Sequence, residues 1–342
     1  MTERPSPEHM RAAVITRPGG PEVLIIAPRP VPALVEPTDV RVRVVASALN
    51  RADLVQRAGR YPAPPGVAAD IPGLEFAGVV DAVGAGVSSW VPGDRVFGLV
   101  PGAAHAEYLV THAETLARVP EALDLADAGV LPEATITAHD ALRQARFAAG
   151  ERVLVHAVGS GVGLAAVQLV RALGGVPIGT ARSDAKLEAA RAVGLEHGIV
   201  PERDADGAPR FADAVLAATD GVGADVVLDL VGGSYVAESV RAMASGGRLV
   251  LIGLLAGRAT SLDLSRVLTR RLQITGTVLR SRTLVERVAY TQAFVRDVVP
   301  LLASGRVRLP VAATYPLEEI ATAHALLESN EVAGKVGVRV TA

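Results

Sequence analysis

Two patterns of apolar residues divide the chain. Over residues 11–128 short Val-containing runs recur between Gly and Pro, at Val40–Ala46, Ala77–Val83, Arg95–Leu99 and Ala106–Val110. Runs of that length, bounded by turn residues, predict strands and read together as an all-β unit with irregular loops. Over 129–280 the pattern changes to strands alternating with amphipathic helices. Strands are expected at 152–157, 176–180, 198–200, 225–230, 248–252 and 272–278. Helices are expected at 162–173, 184–193, 208–219 and 235–244. Such alternation predicts an α/β fold with a parallel, doubly wound sheet. Residues 281–342 then read as a helix (284–303), a strand (311–315), a helix (317–328) and a last strand (335–340). No internal repeat or low-complexity segment stands out.

The most informative stretch is Glu151–Val170, a buried strand, a turn carrying Gly159, Gly161 and Gly163, and a helix start. A helix N-terminus offers unpaired N–H groups and partial positive charge, which suits a diphosphate, and glycines let the backbone approach it. Ser160, Gly161, Val162 and Gly163 are therefore candidate dinucleotide contacts. The spacing is Gly-x-Gly-x-Gly rather than G-x-G-x-x-G, and tight strand–helix packing alone would also call for small residues. The next strand ends in Thr180-Ala181-Arg182-Ser183. An NAD site places an acid near this tip to bind the ribose hydroxyls. Here no carboxylate precedes Asp184. Arg182 and Lys186 would attract a 2′-phosphate and Ser183 could donate to it, so Ala181, Arg182, Ser183 and Lys186 favour NADPH over NADH. Lys186 is one of only two lysines, the other being Lys335. A solvated Lys186 near Glu188 is the plainer alternative. Gly253 and Leu254 end a later strand on the side of the sheet where ligands gather.

Composition narrows the function classes. At 342 residues two domains are expected. Half the residues are apolar and 20% are charged, as in compact globular proteins. A net charge of -2 with no basic stripe disfavours nucleic acid. The longest apolar run, near 249–256, is interrupted by Gly and too short to span a bilayer, so no membrane association is expected. Residues 1–9 read as a loose tail without a signal-peptide core, and a cytoplasmic location is expected by default. There is no cysteine, which removes disulfides, thiol nucleophiles and thiolate metal ligands together. The seven histidines show no close metal spacing, so no metal site is expected. His156, inside the first buried strand, reads as a hydrogen-bonded core residue.

Several segments then resemble one family. They are Ala48-Leu-Asn-Arg-Ala-Asp53, Pro72-Gly-Leu-Glu-Phe-Ala-Gly-Val-Val80, Trp90-Val-Pro-Gly-Asp-Arg-Val96, Pro132-Glu-Ala-Thr-Ile-Thr-Ala138 and Asn330-Glu-Val-Ala-Gly-Lys-Val336. With the Gly159–Gly163 turn they resemble the medium-chain dehydrogenase/reductase superfamily from Met10 onward, and within it the zinc-free quinone oxidoreductases. Asn50–Tyr61 with its Pro-rich loop, and Thr277-Val-Leu-Arg-Ser-Arg282, are similar to the tumour-suppressor-inducible branch. The resemblance implies a GroES-like β domain (1–128 and 281–342) split by a Rossmann domain (129–280), with the cofactor in the cleft. Zinc alcohol dehydrogenases have a cysteine where this chain has Asn50, and Gly-His-Glu where it has Gly73-Leu74-Glu75. Without a Lewis acid, a quinone or an alkene conjugated to a carbonyl is the more suitable acceptor.

The resemblance also implies site roles. Asn50 should face the nicotinamide and hold the ribose or orient the acceptor, unless it only ends a strand in a turn. Tyr61 could stack on a ring or donate its hydroxyl to a carbonyl, or it could anchor its loop. Thr137 falls where the family contacts the nicotinamide amide, though a Thr beside a helix start could equally be a cap. Lys335 lies in a family segment and is a further candidate cofactor contact. Glu75 and Glu133 read as structural helpers, with a general-base role as the alternative. The expected reaction is hydride transfer from NADPH to a quinone, helped by orientation, with the proton from solvent. One rival is an enone or enoyl-thioester reductase with Tyr61 as proton donor, and another is an NADPH-binding sensor or structural protein without turnover. Leu272–Leu279, apolar and β-rich, should be the terminal strand of the Rossmann sheet. Relatives pair it with its two-fold mate, so a homodimer is expected.

Overall fold

The computed structural model describes residues 7–341, which form two compact units. The first unit holds the chain up to Glu133, Leu279–Ala303 and everything from Leu309. Its centre is the long strand Asp39–Leu49. Val40, Val42 and Val44 are fully buried while Arg41 and Arg43 alternate with them on the other face, the period-two pattern that fixes a strand's register. Around it runs a seven-stranded sheet in the order Val311–Pro316, Lys335–Arg339, Asp39–Leu49, Glu75–Val83, Arg95–Leu99, Ala117–Arg118, with Tyr108–His112 also on the long strand. Pairing is antiparallel except for Val311–Pro316 with Lys335–Arg339. Phe76, Val96, Leu109, Val336 and Val338 share one core with Leu317 and Ile320. Trp90, the chain's one tryptophan, is buried there and donates Nε1–H to Ala113 O at 2.9 Å. The expected loose tail lies outside the described residues over 1–6, and His9 already begins the strand His9–Ile15.

The second unit, Ala134–Val278 with Ser304–Arg308, carries six parallel strands. Their order is His197–Ile199, Val176–Thr180, Arg152–Val155, Ala224–Asp229, Met243–Leu251, Gln273–Gly276. In chain order that is 3-2-1-4-5-6, the Rossmann arrangement, and the order reverses between Arg152–Val155 and Ala224–Asp229. Ligands of such sheets bind beyond the C-terminal ends of the strands at that reversal. Gln168 draws the short return segment into this unit, since its amide bonds both Arg308 O (2.6 Å) and Arg308 N (2.8 Å).

Some boundaries differ from those expected, each for a local reason. The first strand ends at Val155 rather than 157, because Ala157 turns left-handed at φ 49°. The helix expected over 208–219 is only Ala212–Ala217, because Pro209–Arg210 pairs with Glu202–Arg203 as a small hairpin. The helix expected over 284–303 breaks after Asp297 and resumes as Val299–Ala303, with Pro300 in the new first turn where its missing N–H costs nothing. Four helices lie outside the expected set, Arg51–Arg57, Leu125–Ala128, Pro132–Gln144 and Leu264–Thr269. Pro132–Gln144 is buried throughout 134–142, polar Thr135, Thr137, His139 and Asp140 included, so polarity does not mark a solvent face there. Among the described residues no helix is long and apolar enough to cross a membrane.

Three imidazoles are sealed in these cores. His156 in the second unit lies between Thr180 Oγ1 (2.8 Å) and Ser239 Oγ (2.7 Å), as a core residue should. In the first unit His324 faces Arg57 Nη1, and His105 stacks edge-on to His324. Burial pushes all three below the ordinary imidazole pKa, His324 to about 2 with His105 and Arg57 adding to the effect. The folded state therefore binds fewer protons than the unfolded one below the unfolded pKa. Stability is fully present above about pH 6.5 and falls as the pH drops, by up to about 1.4 kcal/mol per pH unit for each histidine. Denaturant titrations followed by Trp90 fluorescence should show that loss for the first unit between pH 6.5 and 5. A flat profile there would mean that its two histidines are solvated.

Candidate functional site

Each unit carries a constellation of the expected residues. In the second unit the chain leaves the strand Arg152–Val155, turns through His156–Gly159 and enters the helix Gly161–Ala172. Ser160 caps the helix, its Oγ accepting Gly163 N–H at 3.1 Å. A Cβ on Gly163 would lie 2.6 Å from Ala157 O, Val158 Cα and Val158 O, so only glycine lets the helix approach the turn so closely. Gly163 is thus accounted for by packing. Ser160, Gly161 and Val162 remain partly exposed, and the first amides of a helix have no acceptor within it. That cradle suits a diphosphate.

The tip of the second strand lies beside this turn. A Cβ on Gly159 would sit 2.8 Å from Lys186 Cβ, so the structure brings Lys186 against the glycine turn. Ala181 is buried and donates its N–H to Ile199 O at 3.1 Å, while Arg182 and Ser183 are exposed. Ser183 precedes the helix Asp184–Arg191. Burial raises the Tyr235 phenol pKa, Arg203 and Arg182 pull it down, and Asp229 adds to the rise, so both arginines act at this edge of the sheet.

At the fourth strand's end, buried Asp229 accepts Val231 N–H and Gly232 N–H, each at 2.8 Å, through one oxygen. Its backbone carbonyl takes Gly253 N–H at 3.2 Å. A Cβ on Gly253 would meet Leu230 O at 2.5 Å, and Leu254 is exposed beyond it. The loops after the fourth and fifth strands therefore lie together at the sheet's ligand end. Thr137, expected beside a helix start, is buried within Pro132–Gln144, well past its first turn, so a capping role is excluded.

The first unit holds a buried ionic cluster. Lys335 (3% exposed) and Glu75 (0%) form an ion pair at 2.7 Å. The Lys335 ammonium also donates to Asn50 Oδ1 at 2.6 Å and Leu49 O at 3.2 Å. Asn50 Nδ2 donates to Glu75 Oε1 at 2.8 Å and Ala48 O at 3.3 Å. Glu75 Oε2 accepts Glu133 N–H at 2.9 Å. Asp53 fixes the backbone of the same corner, taking Asn50 N–H at 2.8 Å and Gly73 N–H at 2.9 Å. Asn50 thus opens the helix Arg51–Arg57 instead of merely ending a strand in a turn. Its amide orientation follows from its neighbours, because Oδ1 must face the ammonium and Nδ2 the carboxylate. Both N–H donors are used, which leaves Oδ1 as its open capacity.

Lys335 departs from the expected direct cofactor contact. All three of its N–H donors meet protein groups in this cluster, so its geometry makes it the support of Asn50. Tyr61 is half-buried, and the Arg280 guanidinium lies 4.6 Å from its ring centroid. The sequence does not single out Arg280, Asp229 or Asp53 as functional, because their burial and partners are set by contacts distant in the chain or by turn geometry, neither of which leaves a periodic trace. Among the described residues no three His, Cys, Asp or Glu side chains are grouped so as to hold a metal ion.

Comparison with known proteins agrees with the fold. Residues 36–142 match the alcohol dehydrogenase GroES-like domain, and 161–294 match the domain described as zinc-binding dehydrogenase. The quinone oxidoreductase of Lama guanicoe is 30% identical over 331 residues, 96% of each chain. The Pikromycin polyketide synthase component PikAII of Streptomyces venezuelae is 42% identical over 238 residues, 69% of this chain but 6% of that one. The chain spans 6 to 14% of the length of the polyketide synthases it first matches. Among solved structures, the quinone oxidoreductase of Pseudomonas syringae superposes with a TM-score of 0.85 at 30% identity, covering 97% of this chain and 100% of that one.

Proposed function

The chain belongs to the medium-chain dehydrogenase/reductase superfamily of oxidoreductases, and on that premise we propose that it is a metal-independent, NADPH-dependent quinone reductase. The observation that carries this reading is the ammonium of Lys335, bonded at once to Glu75 and Asn50. A cation fixed among those groups would repel a dication, and without a Lewis acid an alcohol or simple ketone is poorly activated. A quinone needs no such help. A bound dihydronicotinamide supplies the hydride. Ser160, Gly161 and Val162 serve the diphosphate, Gly163 lets the helix come close enough to do so, and Gly253, Leu254, Thr137 and Ala181 line the rest of the cofactor's path. Arg182, Ser183 and Lys186 take the 2′-phosphate. Asn50 Oδ1 accepts from the ribose or orients the acceptor, and Tyr61 faces the acceptor. The two electrons enter the acceptor with the hydride, and the resulting hydroquinone anion takes its proton from water.

A second reading is reduction of an alkene conjugated to a carbonyl or thioester, with Tyr61 donating the proton. The 42% match to a stretch of a polyketide synthase favours it. Side-by-side NADPH oxidation with benzoquinone, a larger ortho-quinone, an enone and crotonyl-CoA, with and without a chelator, separates the two. Turnover of the quinones, unchanged by chelation, is expected. Turnover of the enone or thioester alone would replace the first reading by the second.

For the cofactor, Arg182→Ala should weaken NADPH binding more than tenfold while barely changing NADH, since a charge-assisted contact to the 2′-phosphate contributes about 1.5–3 kcal/mol. Equal loss for both cofactors would remove Arg182 from that role.

The second unit also favours a homodimer. The edge strand Gln273–Gly276 is paired on one side only, by Met243–Leu251, and is exposed along its length. Ile274, Val278, Leu264 and Leu268 of the same unit are exposed apolar side chains. An edge of this character is a pairing site for a second copy. Light scattering should give about twice 35.2 kDa, and Thr275→Pro should abolish the pairing. A wild-type mass of 35.2 kDa at micromolar concentration would exclude the dimer.

A further inference from the structure

Arg280 is 7% exposed, yet no carboxylate of the described residues lies within ion-pair distance of it. Arg57, buried to 2%, is paired with Glu328 at 2.8 Å. Arg280 has only neutral acceptors. Its Nε donates to Pro101 O at 2.7 Å, Nη1 to Tyr61 O at 3.1 Å and Nη2 to Gln56 Oε1 at 2.7 Å. Its remaining compensation is the face of the Tyr61 ring, 4.6 Å away. Burial accordingly draws the guanidinium below its ordinary pKa, with Tyr61 and Asp53 opposing. A buried cation without a counter-charge is costly, and three carbonyl-type acceptors could be satisfied by neutral donors. At the Tyr61 phenol Arg280 is the leading charge, ahead of the opposing Glu133 and Asp53. The Tyr61 hydroxyl is bonded to no described residue, so it is available to a ligand.

We propose that Arg280 and Tyr61 together form an oxyanion-stabilising element of the reductase, the guanidinium behind the ring and the hydroxyl in front of it. This rests on the reading of Tyr61 as the residue that meets the acceptor. Hydride addition to a quinone leaves a phenolate oxygen, and addition to a conjugated alkene leaves an enolate oxygen. In both cases two electrons arrive with one hydrogen, and negative charge collects on the acceptor oxygen before water supplies the proton. The Tyr61 hydroxyl donates a hydrogen bond to that oxygen. Arg280 is a positioning residue: it pins the ring through the cation–π contact and makes the hydroxyl a better donor, as it opposes the burial that would otherwise raise the phenol pKa further.

Binding of 4-nitrophenolate, compared with its neutral ether 4-nitroanisole, tests this without turnover. The titrations use the protein loaded with NADP⁺ and are repeated without it. Wild type should prefer the phenolate by at least about tenfold. Arg280→Met should abolish that preference while leaving 4-nitroanisole affinity near wild type, with a lower melting temperature because Pro101 O, Tyr61 O and Gln56 Oε1 lose their donor. Arg280→Lys should keep most of the preference. If Arg280→Met fails to fold, Tyr61→Phe carries the test, since it keeps the ring and the cation but loses the donor, and its phenolate preference must fall several-fold. The proposal is overturned if wild type shows no preference, if Arg280→Met loses both ligands equally (a loop anchor only), or if Tyr61→Phe leaves the preference intact. A phenolate preference in a protein that reduces no quinone would sink the quinone reading and leave this element standing.

Discussion

The buried Glu75–Lys335 ion pair is the contact on which the first unit's functional corner depends. Three neighbouring strands of its sheet meet there: Asn50 follows Asp39–Leu49, Glu75 starts Glu75–Val83 and Lys335 starts Lys335–Arg339. Two charges withdrawn from water are costly, and such a pair survives only when every remaining lone pair and proton is satisfied. Here that condition is met. The ammonium has three acceptors, and the carboxylate receives donors from Lys335, Asn50 and the Glu133 backbone. The last segment of the chain is thereby fastened to the first, hundreds of residues away in sequence.

The same pair dictates what Asn50 can do. Its donors are consumed, its carbonyl oxygen is held toward the ammonium, and one acceptor position remains. A site organised around a fixed monovalent cation differs chemically from one organised around a dication. It can orient and screen, and it cannot polarise a substrate oxygen by direct coordination. The proposed preference for acceptors that are already electrophilic follows from that restriction. In the second unit the division of labour is different. Gly163 serves backbone packing, while the positive character near Arg182, Arg203 and Lys186 supplies the selectivity proposed for the cofactor.

How far the sequence could be read depended on the kind of signal. The strand Val176–Thr180 and the parallel, doubly wound character of the sheet follow from alternating apolar runs and turn residues, both local, whereas the 3-2-1-4-5-6 order is set by the crossovers. The burial of the helix Pro132–Gln144 is not legible from polarity, because Thr135, Thr137, His139 and Asp140 are buried along with its apolar residues. The break after Asp297 and the hairpin at Pro209–Arg210 depend on individual prolines and on pairing, which a smooth pattern overrides. The glycine turn and the uncharged tip at Thr180–Ser183 could be found from residue identity. Lys335 and Arg280 show the opposite case. Lys335 is a candidate from its segment and Arg280 is not, but the partners of both lie far off, 260 and 224 residues away in Glu75 and Gln56, and only the fold brings them together.

The most direct measurement is a double-mutant cycle on the ion pair, with urea unfolding of Glu75→Gln, Lys335→Met and the double variant followed by Trp90, which reports on the first unit alone. Each single variant should lose about 3–5 kcal/mol, because it strands a buried charge or its partners. The double variant should lose no more than either single one. Losses that simply add, to within about 0.5 kcal/mol, would show that the pair is not coupled and that this corner is organised by something else.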